Sequence, residues 1–305
     1  MPLASFESQN RGTKGKKGTA SNGSYGSEVA HFITCNDHDT IIVTTSKGIA
    51  YGIRAFQIPP GSRTAKGVPI PQVLPIGDAA IASVLPVSEF TDDEYIVLGT
   101  INGWIKRTPL AAFEKMSSRG LIIATLEEGD KLKWCAKCND EDDVLVGSQL
   151  GMVLRFKASN LRPTGRTSRG VISMKLRDDD KLTDMSILSP VDDLSKYVLA
   201  ITSLGYGKRV KTEEFRAKAR GGIGVIGTKF KSTSDGDDRA QCFRMVEEDD
   251  EILLITGKGI IVRQRVADIP IQGRAATGVM VQKVDVSQGD EISSISIIPK
   301  QSRQE

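Results

Sequence analysis

The sequence contains few of the residues on which catalysis, metal binding and membrane insertion usually depend. Only 5% of its 305 residues are aromatic, and it has four cysteines and two histidines. No apolar run approaches the roughly 20 residues of a membrane-spanning helix, and four irregularly spaced cysteines are too few for a disulfide framework. His31 and His38 have no nucleophile or metal-ligand pattern around them. We therefore expect an intracellular protein in a reducing compartment, with no cofactor or metal.

The sequence is instead rich in glycine, which recurs in two regular series. One series follows short apolar stretches such as ITSLG and ITGKG, and the second occurs 17 to 19 residues later in RTAKG, SSRG, RTSRG, RGGIG and RAATG. Regular self-similarity over about fifty residues is typical of repeat architectures. The first series is Gly48, Gly103, Gly151, Gly205 and Gly259, and the second is Gly67, Gly120, Gly170, Gly224 and Gly278.

The opening string QNRGTKGKKG adds a sixth copy to the second series. Its RGTKG stretch ends at Gly15 and has the same Arg-x-x-x-Gly form as most of the later copies. Successive glycines are then 50 to 54 residues apart. The partner glycine of Gly15 would precede Met1, so we expect the first repeat to be truncated on its N-terminal side.

The repeat predicts an all-β wheel. One unit contains four short stretches with strand character, VISMKL, TDMSIL, YVLAIT and YGKRV, and no 3.6-residue periodicity persists along the chain. Six units of about four strands each indicate a six-bladed, propeller-like fold whose closure protects the sheet edges. We expect residues 1–305 to form this single domain.

Positive and negative charges occupy different parts of the repeat, although the net charge is only +3. Acidic residues collect in the connections between strands, whereas basic residues follow the first glycine or precede the second. Recurrence at one phase of a wheel would form a basic band that suits a curved polyanion such as bent duplex DNA. The basic candidates are Arg54, Lys106, Arg107, Arg155, Lys157, Lys208, Arg209, Arg263 and Arg265 in the first group, and Arg63, Lys66, Arg119, Arg166, Arg169, Arg220 and Arg274 in the second.

QNRGTKG, its five degenerate copies, and units such as GWIKRTPLAAF and IPIQGRAATGVM resemble the C-terminal domain of the DNA gyrase A subunit. The string is similar to that family's Q-R-R-G-G-K-G box, with Asn10 and Thr13 as departures. In the third loop, Met116 replaces the usual arginine and Arg119 is displaced, which predicts a weaker contact there.

The resemblance implies a six-bladed β-pinwheel that wraps duplex DNA without catalysis of its own, in an enzyme that introduces negative supercoils using ATP. It implies no cofactor in this domain and a monomeric state when the domain is isolated. Its partners would be the breakage-reunion domain of gyrase A and the gyrase B protein, in a heterotetramer of two A and two B subunits. The location would be the bacterial cytoplasm, or a plastid or mitochondrion in a eukaryote. The box residues implied to fasten DNA, with the lysines that follow them, are Gln9, Arg11, Gly12, Lys14, Gly15, Lys16 and Lys17.

Two other motifs have weaker interpretations. GGIGVIG has the form of a dinucleotide fingerprint but lacks a helical pattern after it, and Cys135 and Cys138, three apart on a predicted strand, would face opposite sides. Two alternatives to the gyrase hypothesis stay open. They are the related domain of the topoisomerase IV A protein, and a protein-interaction propeller of the regulator-of-chromosome-condensation or kelch type.

Overall fold

The computed structural model describes residues 33, 35–61, 67–116, 119–177, 179–190, 195–231, 237–298 and 300. Short strands dominate these residues. They are β1 (Thr40–Thr45), β2 (Ile49–Arg54), β3 (Ile81–Val87), β4 (Tyr95–Thr100), β5 (Trp104–Pro109), β6 (Leu121–Ile122), β7 (Leu132–Cys138), β8 (Asp143–Ser148), β9 (Met152–Lys157), β10 (Val171–Ile172), β11 (Leu182–Leu188), β12 (Lys196–Thr202), β13 (Tyr206–Lys211), β14 (Val225–Ile226), β15 (Ala240–Glu247), β16 (Glu251–Thr256), β17 (Ile261–Arg265), β18 (Val279–Met280) and β19 (Ile292–Ile298).

Helical structure is confined to single turns in the described ranges. The one α-helix, α1, spans Ile70–Val73, and the 3₁₀ turns are Ala55–Gln57, Leu110–Phe113, Ala158–Asn160, Thr212–Glu214, Val266–Asp268 and Val286–Gln288. No helix in the described part of the chain is long and apolar enough to cross a membrane. The all-β prediction is confirmed.

The strands form five antiparallel sheets, which we number in chain order. From one edge to the other, sheet 1 is β3-β1-β2-β6, sheet 2 is β7-β4-β5-β10, sheet 3 is β11-β8-β9-β14, sheet 4 is β15-β12-β13-β18 and sheet 5 is β19-β16-β17. Five sheets are therefore described where six blades were predicted. The copy of the repeat at Gln9–Gly15 lies outside the described residues.

The five sheets succeed one another around a central cavity. Their first edge strands, β3, β7, β11, β15 and β19, contact each other in that order, and together they line a cavity of about 590 Å³. The opposite edge of each sheet, where β6, β10, β14 and β18 lie, is therefore the outer edge of the wheel.

The repeats of sheets 2 to 5 each contribute the outermost strand of the sheet that precedes their own. After β5 in sheet 2, it adds the two-residue strand β6 to sheet 1 before it returns as β7 in sheet 2. The same step places β10 in sheet 2, β14 in sheet 3 and β18 in sheet 4. The four stretches assigned to one sequence unit are thus shared among three sheets: VISMKL contributes β10, TDMSIL contributes β11, and YVLAIT and YGKRV contribute β12 and β13.

The glycines of both series have backbone angles that explain their recurrence. All ten described members, from Gly48 to Gly278, have φ between 72° and 100°. This left-handed region is open to glycine at low energetic cost and strained for most other residues. Their interpretation as turn glycines is confirmed.

Hydrophobic packing between neighbouring sheets forms the core. Cys135 and Cys138 on β7 belong to two different clusters, one shared with sheet 1 and the other with sheet 3. The prediction that the two thiols face opposite sides is confirmed. Burial raises the pKa of each thiol to about 12, so neither is a thiolate at neutral pH.

Candidate nucleic-acid interface

The second-glycine loops project along the outer edge of the wheel. We call them hook segments, and those described are residues 119–122, 165–172, 219–226 and 273–280. Each ends in the two-residue strand that pairs with the preceding sheet, as in Val279 opposite Gly207 and Met280 opposite Tyr206. The chain just after each hook is held by the carbonyl of a first-series glycine, such as Gly205, which accepts N–H bonds from Val281 and Gln282. Each hook is thus fixed to its sheet by a first-series turn.

Two buried lysines hold hook segments from inside. Lys106 Nζ donates to the carbonyl oxygens of Gly165 and Ser168, both at 3.0 Å, and to that of Arg166. The two lysines have equivalent surroundings, since Lys208 Nζ donates to Gly273, Arg274 and Ala276 in the same pattern. Each ammonium group therefore fixes the backbone of a loop that carries an arginine.

Burial changes the chemistry of both lysines. Lys106 is 3% exposed and Lys208 is 1% exposed, and removal from water lowers the pKa of each ammonium group to about 8. At pH 7 both remain mostly charged, and three carbonyl oxygens compensate for the lost hydration. Lysine has three N–H donors, so all of them are used by these three carbonyl oxygens, which we call the carbonyl cage.

The arginine after each lysine is buried as well. Arg107 stacks on Tyr95 at 4.3 Å, donates to the carbonyl of Leu161 and pairs with Asp140. Arg209 stacks on Tyr197 at 4.9 Å. It also donates to the carbonyls of Ile269 and Ala267 and pairs with Glu248. Through these bonds, each arginine attaches the residues that precede the hook to its own sheet.

In sheets 3 and 5, the arginine at the equivalent position pairs with an acidic residue of its own hairpin. Arg155 Nε lies 2.6 Å from Asp143 Oδ2, and Arg263 Nε lies 2.6 Å from Glu251 Oε2. Both acids are nearly inaccessible. Each pair joins the two strands of one hairpin, because Asp143 and Glu251 begin the strand that precedes the arginine. Breaking such a buried pair is costly because one charge is left without compensation.

Six of the predicted contact residues therefore have internal roles. The side chains of Arg107, Arg155, Arg209 and Arg263 are 5%, 9%, 5% and 10% exposed, and Lys106 and Lys208 are more deeply buried. Their charges are already engaged by carbonyls or carboxylates. In this structure they position the hook segments and hairpins and do not present a charge at the surface.

The remaining described candidates lie at the surface or are half-buried. Arg54, Arg119, Lys157, Arg169 and Arg265 are exposed, while Arg166, Arg220 and Arg274 are half-buried. Arg54 and Arg265 have partners at the surface: Arg54 donates to the carbonyl of His38 at 3.0 Å, and Arg265 pairs with Asp268 at 3.0 Å. Surface pairs of this kind contribute little to stability. Their cations can therefore exchange one partner for another. Lys157 instead pairs with the buried Asp143 at 3.0 Å.

Arginines in successive hooks link each hook to its neighbour. Arg220 donates to the carbonyl of Ile172, and Arg274 donates to the carbonyl of Ile226 at 3.1 Å. In sheet 2, Arg169 stacks on Trp104 at 3.9 Å and pairs with Glu127. The hooks at 165–172, 219–226 and 273–280 are thus linked into a cation-bearing rim along the outer edge of the wheel.

Sequence reasoning missed a further set of lysines beside the hooks. Lys175, Lys229 and Lys283 each lie five residues after a second-series glycine, and all three are exposed. Their constant offset from Gly170, Gly224 and Gly278 is visible in the sequence. The spacing that identified the glycines could have found them.

Nine predicted contact residues lie outside the described residues, so their positions stay predictions. They are Gln9, Arg11, Gly12, Lys14, Gly15, Lys16, Lys17, Arg63 and Lys66.

No reactive or metal-binding cluster accompanies the rim in the described ranges. No group of three or more histidine, cysteine or acidic side chains there could hold a metal ion. The GGIGVIG stretch forms the end of a hook and the strand β14, and residues 227–231 are not helical. It therefore lacks the helix N-terminus that a dinucleotide fingerprint requires.

Comparison with known proteins agrees with the fold and the repeat. The family model described as DNA gyrase C-terminal domain, beta-propeller matches residues 1–23, 39–70, 94–139, 142–189, 196–241 and 250–299. A solved structure of the DNA gyrase A C-terminal domain superposes with a TM-score of 0.79 at 26% identity, covering 98% of this chain and 94% of that one. The C-terminal domain of DNA topoisomerase IV gives a TM-score of 0.77 at 21% identity, covering 88% and 82%.

The chain spans little more than a third of the length of two curated relatives that it matches. The DNA gyrase A protein of Synechocystis is 40% identical over 336 residues, which cover 100% of this chain and 38% of the relative. The probable chloroplastic/mitochondrial DNA gyrase A protein of rice is 36% identical over 325 residues, covering 98% and 33%. With a family model that matches most of its residues and relatives at this identity, the chain belongs to the DNA gyrase C-terminal domain family.

Proposed function

We propose that this chain binds duplex DNA and wraps it around the rim of hook segments. The observation that carries the proposal is the repeated outer edge, where hooks from successive repeats bring arginines and lysines to equivalent places on consecutive sheets. Bending DNA through tens of degrees costs several kcal/mol. A rigid rim offsets this cost through many backbone contacts and needs no sequence readout.

The surface cations define the proposed contacts. Arg119, Arg166, Arg169, Arg220 and Arg274 lie within the hooks. Beside them lie Lys175, Lys229 and Lys283, and Arg54, Lys157 and Arg265 end the strands β2, β9 and β17. Each phosphate neutralised by such a cation contributes about 0.9 to the slope of log affinity against log salt. A path along several hooks therefore predicts a steep salt dependence.

We infer the wider role from the proteins that the chain resembles. In a complete gyrase, this domain would present DNA to the breakage-reunion part of gyrase A. ATP-driven strand passage with gyrase B, in a heterotetramer of two A and two B subunits, would then introduce negative supercoils. We assign no reaction and no cofactor to residues 1–305, which we treat as one wrapping domain. Its location would follow that of gyrase, in the bacterial cytoplasm or in a plastid or mitochondrion.

We further propose that the wheel has six blades and that the opening string closes it. Four described sheets receive a hook, whereas no described strand pairs with the outer edge of β17 in sheet 5. Two second-series copies, RGTKG and RTAKG, have no described strand partner. Because each described hook pairs with the sheet of the repeat before it, RGTKG, the first copy of the cycle, would follow sheet 5. Arg11 and Lys14 would then join the rim where its two ends meet.

Replacement of Gly259 by alanine tests this closure. No atom of a described residue lies within 4 Å of a Cβ added at Gly259. If the opening string covers this turn, Gly259→Ala meets its backbone and destabilises the chain by more than about 3 kcal/mol. If the turn is open, the loss is only the left-handed strain of about 1 to 2 kcal/mol. Urea unfolding, with Gly129→Ala as control, measures the difference, and equal losses contradict closure.

Wrapping itself is tested by closing nicked circular DNA with ligase in the presence of the chain. A wrapped path changes the linking number in proportion to the bound protein. A control reaction at a salt concentration that releases the protein should leave the linking number unchanged. If topology is unaltered at every protein-to-DNA ratio, the wrapping proposal fails even when binding is detected.

The same assay separates the two alternatives. A topoisomerase IV domain with degenerate loops would bind DNA but change its linking number weakly. A protein-interaction propeller would show low DNA affinity and a shallow salt dependence. The recurrence of cations on every described hook favours wrapping over either.

A further inference from the structure

The second residue of every described hook strand is a large apolar side chain that faces solvent. We call these four residues the outer row: Ile122, Ile172, Ile226 and Met280. They are 58%, 37%, 40% and 44% exposed. Isolated exposed apolar residues are normal on any protein. Four at one structurally equivalent position of consecutive sheets form a pattern that needs a physical reason.

Core packing does not provide that reason. Successive residues of a strand face opposite sides, and the first residues of three of these hook strands, Leu121, Val225 and Val279, pack against the hydrophobic clusters. The members of the outer row belong to none of the clusters. Their side chains point to the other face, away from the core.

Cations lie directly beside this row. The guanidinium of Arg220 is bonded to the carbonyl of Ile172, and that of Arg274 to the carbonyl of Ile226. Beyond the row lie Lys175 and Lys229, three residues after those isoleucines. The sites at Ile172 and Ile226 therefore offer an aliphatic side chain flanked by positive charge, which complements the apolar sugar surface between the two phosphate lines of a duplex.

The spacing of the row fits the period of duplex DNA. A chain of 305 residues has a radius of gyration of about 19 Å, which for a disk corresponds to an outer radius of about 27 Å. For the six blades proposed above, a duplex whose axis lies about 10 Å beyond that rim covers about 40 Å, or about 11 base pairs, per blade. The minor groove of wrapped DNA faces inward about every 10 base pairs. One apolar site per blade therefore comes close to one minor groove per helical turn.

We propose that the outer row packs against the deoxyribose walls of the minor groove, once per blade. This inference rests on the proposed wrapping function and specifies its contacts. The cations of the hooks hold the two phosphate lines, and the aliphatic side chain fills the groove between them. The row then fixes which groove of the duplex faces the rim at each blade. Contacts between charges alone would leave the duplex free to rotate about its axis.

The test replaces all four members of the row with serine in the 305-residue chain. A matched control carries Phe56→Ser, Ile58→Ser, Leu150→Ser and Ile271→Ser, which remove four exposed apolar side chains outside the hooks. We expect the row variant to keep the salt slope of binding but to lose at least half of the linking-number change. Hydroxyl-radical cleavage of wrapped DNA should lose its protection pattern with a period of about 10 base pairs. Netropsin, a ligand of the minor groove, should reduce wrapping by the wild type. Glucosylation of the bases in the major groove should reduce wrapping less.

The outcomes distinguish this inference from the proposed function. If the wild type does not change the linking number, wrapping itself fails. If the wild type wraps and the row variant wraps equally well with an unchanged footprint, only the groove contact is overturned. Loss of binding to the remainder of gyrase, with unchanged wrapping, would assign the row to a protein partner and would likewise overturn it.

Discussion

Gly205→Ala should destabilise the chain by about 4 kcal/mol or more, a loss that places it among the most damaging single substitutions. Gly205 has φ +82°, and a Cβ at this position would lie 2.0 Å from the backbone carbonyl oxygen of Gln282. That carbonyl belongs to the chain that has just left the hook strand β18. The added methyl group therefore cannot be accommodated by a side-chain movement, and the hook must leave the sheet.

Gly129→Ala is the matched control for this effect. Gly129 has φ +76°, and no atom of a described residue lies within 4 Å of a Cβ there. Its replacement should cost only the backbone strain of about 1 to 2 kcal/mol. Urea denaturation of both variants gives the comparison. Similar losses for the two would mean that docking of the hook contributes little to the stability of sheet 4.

Replacement of both Lys106 and Lys208 by methionine should abolish most of the linking-number change while the sheets remain folded. Methionine preserves the length and apolar stem of lysine but donates no hydrogen bond. Each cage then loses three bonds to a charged donor, at a cost of about 2 kcal/mol per site after relaxation. The loops at 165–168 and 273–276 lose their internal support, so Arg166 and Arg274 no longer hold a fixed position.

Lys131→Met with Lys137→Met serves as the control because it removes the same charge from exposed side chains away from the hooks and the proposed contacts. Limited trypsin digestion at pH 7, where the caged lysines are mostly charged, should cut the cage variant early at Arg166, Arg169 and Arg274. The control should resist cleavage at these sites. A decrease of about 1 per lysine in the salt slope, with no change in cleavage, would instead indicate direct phosphate contacts by Lys106 and Lys208.

Much of the architecture could be predicted because the constraints are local. A glycine at positive φ is required wherever a tight turn of this kind recurs, so both series of glycines mark turns in the sequence itself. Alternation and β-branched residues then predict strands such as YVLAIT without reference to distant residues. The opposite orientation of Cys135 and Cys138 follows in the same way from the two-residue period of a strand.

The candidate interface was less predictable because burial is a property of the assembled sheets. Lys106 and Arg107 carry charge in the sequence, as Lys157 and Arg265 do, and nothing local distinguishes them. The first pair lies beneath a hook that comes from about sixty residues later. Lys157 and Arg265 each end a strand, two residues beyond the buried Arg155 or Arg263, and their side chains remain exposed.

The sequence by itself determined the unit of this protein: its length, its turn glycines, its strands and the phase at which cations recur. Only the tertiary structure decided that each hook belongs to the preceding sheet and which cations are caged. The physical reason is that a repeat fixes position within a unit, whereas pairing between units depends on which edge strand has free N–H and C=O groups. Once a hook satisfies those groups, its carbonyls surround Lys106 or Lys208, and a side chain that looks like a surface charge becomes part of the core.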